Sequence, residues 1–219
     1  MEHCTLETVD RVDVISFGSP VLSVQVLSEL DAALDELSDR TVAVPLVLRS
    51  SHPTIFLAGA HLAEIAALDA RSCRHYARRG RAVLDRLATL PGPTVAAVHG
   101  SCSGGGFDLV LACDRIVAGP AASFGHPGIL RGLVTGWGGT VRLPGAAGAS
   151  LARLAVLAAR PLAAEDLARH GVALVSGPDV VGTATAEAAR LAAIHPDRLA
   201  AWRLLRDRGA TTVGSGHRL

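Results

Sequence analysis

Two rhythms of hydrophobic and polar positions run along this chain. Residues 12–17 (VDVISF) alternate and stop at Gly18-Ser19-Pro20, the pattern of a strand ending in a turn. Over residues 24–37, Val24, Leu27, Leu30, Leu34 and Leu37 recur every three or four positions, which puts them on one helical face. A second strand is expected at 42–48, followed by a polar loop over 49–57 that is broken by Pro53. Residues 61–68 predict a short helix. Residues 71–90 predict a longer one, with Tyr76, Val83, Leu84 and Leu87 inward, arginines outward and Pro91-Gly92-Pro93 as its stop. The apolar run 94–98 reads as a buried strand that ends at His99-Gly100. Strands are expected again at 114–118 and 172–175, with an extended piece at 123–124. Helices are expected at 140–143, 148–158, 163–169, 181–194 and 197–208, and residues 211–219 are expected to fray. Strands followed by helices argue an α/β fold, a sheet covered by helices, and no linker divides the chain.

Two turns in this pattern consist of small residues. Ala58-Gly59-Ala60 precedes the short helix. Gly104-Gly105-Gly106 follows the strand at 94–98 and opens a helix carrying Phe107, Leu109, Val110 and Leu111. Glycine in a helix costs about 1 kcal/mol relative to alanine, so three in a row mark a place where backbone approaches backbone or a ligand. Helix-opening amides lack intrahelical acceptors, and two such turns side by side would aim two N–H groups at one carbonyl oxygen. That arrangement is an oxyanion hole, suited to an acyl thioester whose oxygen becomes negative when the neighbouring carbon reacts.

Composition narrows the field. The chain has 219 residues, 49% hydrophobic and 19% charged, which is the balance of a globular domain with a sizeable core. The net charge of +1 gives no case for nucleic acid or an anionic membrane surface, and no lysine is present. The first fourteen residues contain charges and no apolar run, so no secretory leader is expected, nor is a membrane span. Cys4, Cys73, Cys102 and Cys113 show no metal-type spacing and are expected as free thiols in a reducing cytoplasm.

One rival chemistry fits the same stretch. Gly100-Ser101-Cys102-Ser103-Gly104 has the form of a nucleophile elbow with cysteine in place of serine. It would need an acid, Asp114 or Asp166, and a histidine, His170 or His195.

Residues 95–148, VAAVHGSCSGGGFDLVLACDRIVAGPAASFGHPGILRGLVTGWGGTVRLPGAAG, resemble the signature region of the crotonase family, the enoyl-CoA hydratases and isomerases. TIFLAGAHLAEI (54–65) and ARPLAAEDLARHGVALVS (159–176) are similar to two further family segments, and the resemblance spans about residues 10–208. It implies a spiral of ββα units over about 10–175, with C-terminal helices over about 176–208, in one domain shortened at the C-terminus. It implies an acyl-CoA thioester as substrate, no further cofactor, a cytoplasmic homo-oligomer (a trimer or hexamer), and no nucleic-acid or membrane partner.

Residue by residue, the resemblance places the two oxyanion-hole amides at Ala60 and Gly105, and the thioester and coenzyme A contacts at Ala58, Ala60, His61, Leu62, Ala63, Gly104, Gly105 and Gly128. The first catalytic carboxylate falls on Asp108 and the second on Gly128, so the family's two glutamates are here an aspartate and a glycine. A shorter acid and a missing one argue against efficient two-carboxylate hydration, because a positioning error of about 1 Å can cost on the order of a hundredfold. A one-carboxylate reaction such as double-bond isomerisation fits equally well, as does acyl-CoA binding without turnover. His126, His61, His75 and Tyr76 are candidates for the missing group, and Trp137 for the pocket wall; Asp114 reads as structural.

Overall fold

The computed structural model describes residues 3–194 and 196–214. Its largest sheet has six strands. In spatial order they are β1 (Cys4–Val9), β2 (Val12–Phe17), β4 (Leu46–Ser50), β7 (Thr94–Val98), β9 (Arg115–Ala118) and β12 (Ala173–Val175). Only β1 runs antiparallel. A second sheet orders β11 (Leu162–Ala163), β10 (Ser123–Gly125), β8 (Ser101–Ser103) and β5 (Ile55–Leu57), and β3 (Val21–Leu22) pairs with β6 (Gly59–Ala60). The helices are α1 (Val24–Ser38), α2 (Leu62–Ala66), α3 (Ala70–Ala88), α4 (Gly105–Val110), α5 (Gly139–Val156), α6 (Ala164–Ala168), α7 (Val180–Ala192) and α8 (Pro196–Gly214), with a 3₁₀ turn at Pro127–Arg131. Three times a strand of the large sheet leads into a strand of the small one: β4 into β5, β7 into β8, β9 into β10. Each step lies parallel to the next, which is the spiral that the sequence resemblance implies.

Burial explains where the pattern misled. All six residues of β2 are buried, although the sequence alternates. Val12 and Val14 pack with Val180, Ala184, Ala188 and Leu191 of α7, while Ile15 and Phe17 join the main core with Leu27 and Leu30 of α1. The sheet is covered on both faces, as parallel sheets are. Asp13, on the same strand, is tolerated in the interior because Arg40 and the Thr8 hydroxyl bind its carboxylate at 2.7 and 2.6 Å.

The strand expected at 42–48 begins only at Leu46, after Pro45, which has no N–H to donate to a ladder. The polar loop expected at 49–57 ends in β5, three residues that show no period by themselves. The helices expected at 140–143 and 148–158 are the two halves of α5, which break at Gly148, where φ of 82° and ψ of 159° are not helical; the first half continues through Pro144. Residues 211–214 are helical in α8, where fraying was expected; residues 215–219 lie outside the described residues. Among the described residues no helix is long and apolar enough to cross a membrane.

Asp114 fastens α8 to the core. It accepts hydrogen bonds from the Thr94 amide (2.9 Å) and hydroxyl (3.1 Å), and from Arg203 at 2.6 and 2.8 Å. Arg203 in turn donates to the carbonyls of Leu90 and Gly92, in the turn that stops α3. Asp114→Ala leaves that guanidinium without its counter-charge and should lower stability by about 3 kcal/mol, read from urea unfolding.

Candidate active site

β5 and β8 are parallel neighbours, so the chain leaves the same end of the sheet twice, once at Ala58 and once at Gly104. Both turns need glycine: Gly59 has φ +88° and Gly104 has φ +54° with ψ −127°, regions that side chains rarely enter. The turns also touch. A Cβ on Gly59 would stand 2.8 Å from the Gly105 nitrogen and 2.9 Å from the Ser103 oxygen. The Ser103 hydroxyl donates to the Ala58 carbonyl at 3.2 Å, and the Gly104 amide donates to Gly125 at 2.9 Å. Gly105 then opens α4 with its backbone against the Trp137 ring, so close that a Cβ would stand 2.6 Å from Cζ3.

These turns form one side of a cavity of about 230 Å³. Ala58, Ala60, Leu62, Gly104 and Gly105 line it on that side. Ile65 of α2 and Tyr76 and Ala77 of α3 form another wall, and His126 to Ile129 with Leu133 to Trp137 close the third. The lining is mostly apolar, with few polar groups, as small-molecule sites are. Tyr76 and Trp137 pack together with their rings tilted by 51° and their centres 5.4 Å apart. Gly128 sits in this wall in a turn so tight that a Cβ would stand 3.1 Å from the Leu133 carbonyl oxygen.

Asp108 lies behind the wall of this cavity. Its side chain is fully buried and is not part of the cavity wall. Oδ2 accepts the Thr135 hydroxyl, and Oδ1 faces His126 Nε2 at 3.5 Å with no hydrogen bond of its own. His126 is also buried, its ring packed at a tilt against Phe107 at 5.1 Å, and both ring nitrogens are buried without a hydrogen-bond partner. The pair rests on bare backbone at Gly139, where a Cβ would overlap Oδ1 and stand 2.9 Å from the imidazole.

Burial pushes the Asp108 carboxyl up to about 6, partly offset by the Thr135 hydrogen bond, the charge of Arg142 and the backbone amides of Gly139 and Trp137. Burial pushes His126 down to about 4. At neutral pH the pair is therefore a carboxylate facing a neutral imidazole.

Of the other residues singled out, His61 and Ala63 are exposed and lie outside the cavity wall. His61 is occupied as the N-cap of α2, its Nδ1 accepting from the Glu64 amide at 3.3 Å. His75 is exposed on α3. Thr135 and Gly139 were not singled out. A threonine in a glycine-rich loop carries no local signal of the carboxylate it binds.

The cysteine elbow does not form. Cys102 is wholly buried inside β8, and burial raises its thiol well above the ordinary range, the reverse of an activated nucleophile. Asp114 is held by Arg203 and Thr94, Asp166 binds the Ala163 amide at the start of α6, and His170 is exposed; His195 lies outside the described residues. Cys102→Ser should leave activity within about threefold and lower stability by about 1–3 kcal/mol, for burying a hydroxyl in an apolar strand. Turnover and thermal melting measured on one preparation check both.

The enoyl-CoA hydratase/isomerase family model matches residues 7–211. Human methylglutaconyl-CoA hydratase is 36% identical over 157 residues, which cover 72% of this chain and 46% of that protein. The chain thus spans about half the length of the methylglutaconyl-CoA hydratases it matches. The short-chain-enoyl-CoA hydratase of Clostridium acetobutylicum is 28% identical over 78% of this chain and 67% of its own. Among solved structures, Pseudomonas aeruginosa DspI superimposes with a TM-score of 0.86 at 28% identity, covering 97% of this chain and 91% of that one. An enoyl-CoA hydratase from Bacillus anthracis does so with 0.84 at 26%, covering 97% and 84%. The chain belongs to the enoyl-CoA hydratase/isomerase family and has the crotonase fold.

Proposed function

We propose that this chain is an acyl-CoA-processing enzyme in which the amides of Ala60 and Gly105 stabilise the oxyanion of a thioester enolate. The observation that carries this reading is the contact between the two glycine turns at the edge of an apolar cavity. Backbone donors fixed by strand ends need no reorganisation as charge develops, and one such donor contributes on the order of a hundred- to a thousandfold in rate. The apolar walls suit an acyl chain and keep water from the enolate. With Gly128 supplying no acid, the reaction in view is one that a single acid/base group completes, of which the shift of a double bond from the 3- to the 2-position is the simplest.

A second reading has an observation in its favour. Asp108 lies behind the cavity wall, which suits a homologue that binds acyl-CoA without turning it over. Calorimetric binding of a saturated acyl-CoA, alongside spectrophotometric assays with 3-enoyl-CoA and 2-enoyl-CoA, separates the two. Turnover supports the enzyme, binding without turnover supports the second reading, and no binding rejects both. The proposal includes a homo-oligomer, a trimer or hexamer. Trp202, Leu204 and Leu205 stand exposed on α8, a surface that a second copy would cover, and sedimentation analysis reads the assembly.

A further inference from the structure

We propose that Trp137 bounds the acyl pocket, and that the substrate it admits is an acyl-CoA of about six carbons or fewer. The inference rests on the acyl-thioester reading of the cavity and adds to it a limit on chain length. Trp137 is 3% exposed and forms part of the cavity wall. Its indole lies across the gap between α3 and α4. One edge rests on α3 at Gly80, where a Cβ would overlap Nε1 and Cε2. The other edge rests on the first residue of α4, Gly105, where a Cβ would stand 2.6 Å from Cζ3 and 2.7 Å from Cε3. Glycine at both positions is what lets a ring of this size sit between the two helices. The ring therefore touches the residue whose amide is assigned to the thioester oxygen. An acyl group anchored by that amide lies beside the indole from its first carbons on.

The indole is also held in place. The Trp137 carbonyl accepts a hydrogen bond from Arg142 at 2.9 Å, and Arg142 binds Asp85 of α3 at 2.5 Å. The Gly136 carbonyl accepts from Arg81, also of α3, at 3.1 Å. These bonds tie the loop that carries the indole to the helix that the indole packs against. Both of its edges meet backbone, so neither neighbour is a side chain that could swing aside to let the ring move.

Volume sets the length. A cavity of about 230 Å³ holds about eight groups of the size of a water molecule, at ~30 Å³ each. The thioester oxygen and sulfur take two of these places, which leaves room for about six carbons. Each methylene that the cavity takes out of water adds about fourfold in affinity. A methylene that meets the indole adds nothing, or costs affinity through overpacking. The indole fills the gap between α3 and α4 that a longer chain would otherwise enter.

The test measures calorimetric binding of a series of saturated acyl-CoAs, from acetyl-CoA to dodecanoyl-CoA, to the full native chain and to Trp137→Ala. In the native protein, affinity is expected to climb about fourfold per carbon and to stop climbing near about six carbons. In Trp137→Ala the break is expected to move out by about four carbons, less than the ring it replaces because the walls relax in part. Decanoyl-CoA should then bind at least about tenfold more tightly to the variant than to the native protein, with butyryl-CoA unchanged within about threefold. Trp137→Phe keeps a ring against Gly105 and is the milder change; it should move the break by about one to two carbons. That variant decides the matter should Trp137→Ala fail to fold. A native affinity that climbs without a break as far as dodecanoyl-CoA overturns the assignment. So does a folded variant whose break stays at the native length, including one whose affinity falls equally at every length, as the loss of a merely structural tryptophan would cause. A native protein that binds no acyl-CoA of any length rejects the reading of the pocket itself, a failure distinct from these.

Discussion

Asp108→Asn is expected to remove turnover and, at pH 8, to make the protein more stable. The stability effect follows from burial of the charge. Burial raises the carboxyl from 3.8 to about 6, so the folded protein holds a proton that the unfolded chain has already released. A folded pKa raised above the unfolded value contributes stability below the unfolded value and loses it as pH rises through the folded one. The penalty for an ionised Asp108 therefore develops between about pH 4 and 6 and is complete above that, on the order of 2–3 kcal/mol. Asparagine carries no charge to bury. Its oxygen can still accept the Thr135 hydroxyl, and its NH₂ can face His126 Nε2. That contact fixes the imidazole tautomer with its proton on Nδ1. Turnover should fall by about a hundredfold to ten-thousandfold. The melting temperature should rise by roughly 4–8 °C at pH 8 and by little near pH 4. His126 contributes the other way: its lowered value gives stability above about 6.5 that is lost as pH falls towards about 4, in the native protein and the variant alike. Melting curves across this range, paired with initial rates, check the prediction. An asparagine variant less stable than the native protein at pH 8 would mean that the carboxylate is stabilised where it sits.

Gly59→Ala is expected to damage stability and catalysis together. The position has φ +88°, and the added methyl would stand 2.8 Å from the Gly105 nitrogen, 2.9 Å from the Ser103 oxygen and 3.3 Å from the Gly104 Cα. All three neighbours are backbone, so no side chain can swing aside. Backbone strain and overpacking together cost about 2–4 kcal/mol. Relief comes from pushing the two turns apart, which separates the Ala60 and Gly105 amides. If those amides act on one oxygen, kcat should fall about a hundred- to a thousandfold while KM changes little, because the lost interaction belongs to the transition state. Unfolding in urea and steady-state kinetics on the folded fraction separate the two effects.

The strand, turn and helix over residues 94–112 were legible in the sequence because each has its own signal: a β-branched run, a glycine cluster, an apolar period. The strands of the small sheet were mostly not legible. β5, β8 and β11 have three, three and two residues, too short for a period, and they exist because the spiral sets them beside one another. Pro144 read as a stop, yet the helix runs on through it; the break lies at Gly148, whose φ of 82° and ψ of 159° are not helical, where the second expected helix begins. The candidate site was legible as a pair of turns and as a replaced acid. What lay out of reach was depth. Asp108 and His126 are eighteen positions apart in sequence, and nothing local says that the carboxylate is buried behind the cavity wall, 3.5 Å from the imidazole. That follows from a bare backbone at Gly139 and a hydroxyl at Thr135, both contributed by segments after the signature glycines.

The most direct measurement is a crystal structure of the full chain with a saturated, unreactive acyl-CoA. The account predicts the thioester oxygen at hydrogen-bonding distance, about 2.7–3.2 Å, from both the Ala60 and the Gly105 nitrogen. An acyl-CoA whose carbonyl oxygen reaches only one of those nitrogens, or lies elsewhere in the cavity, would contradict it.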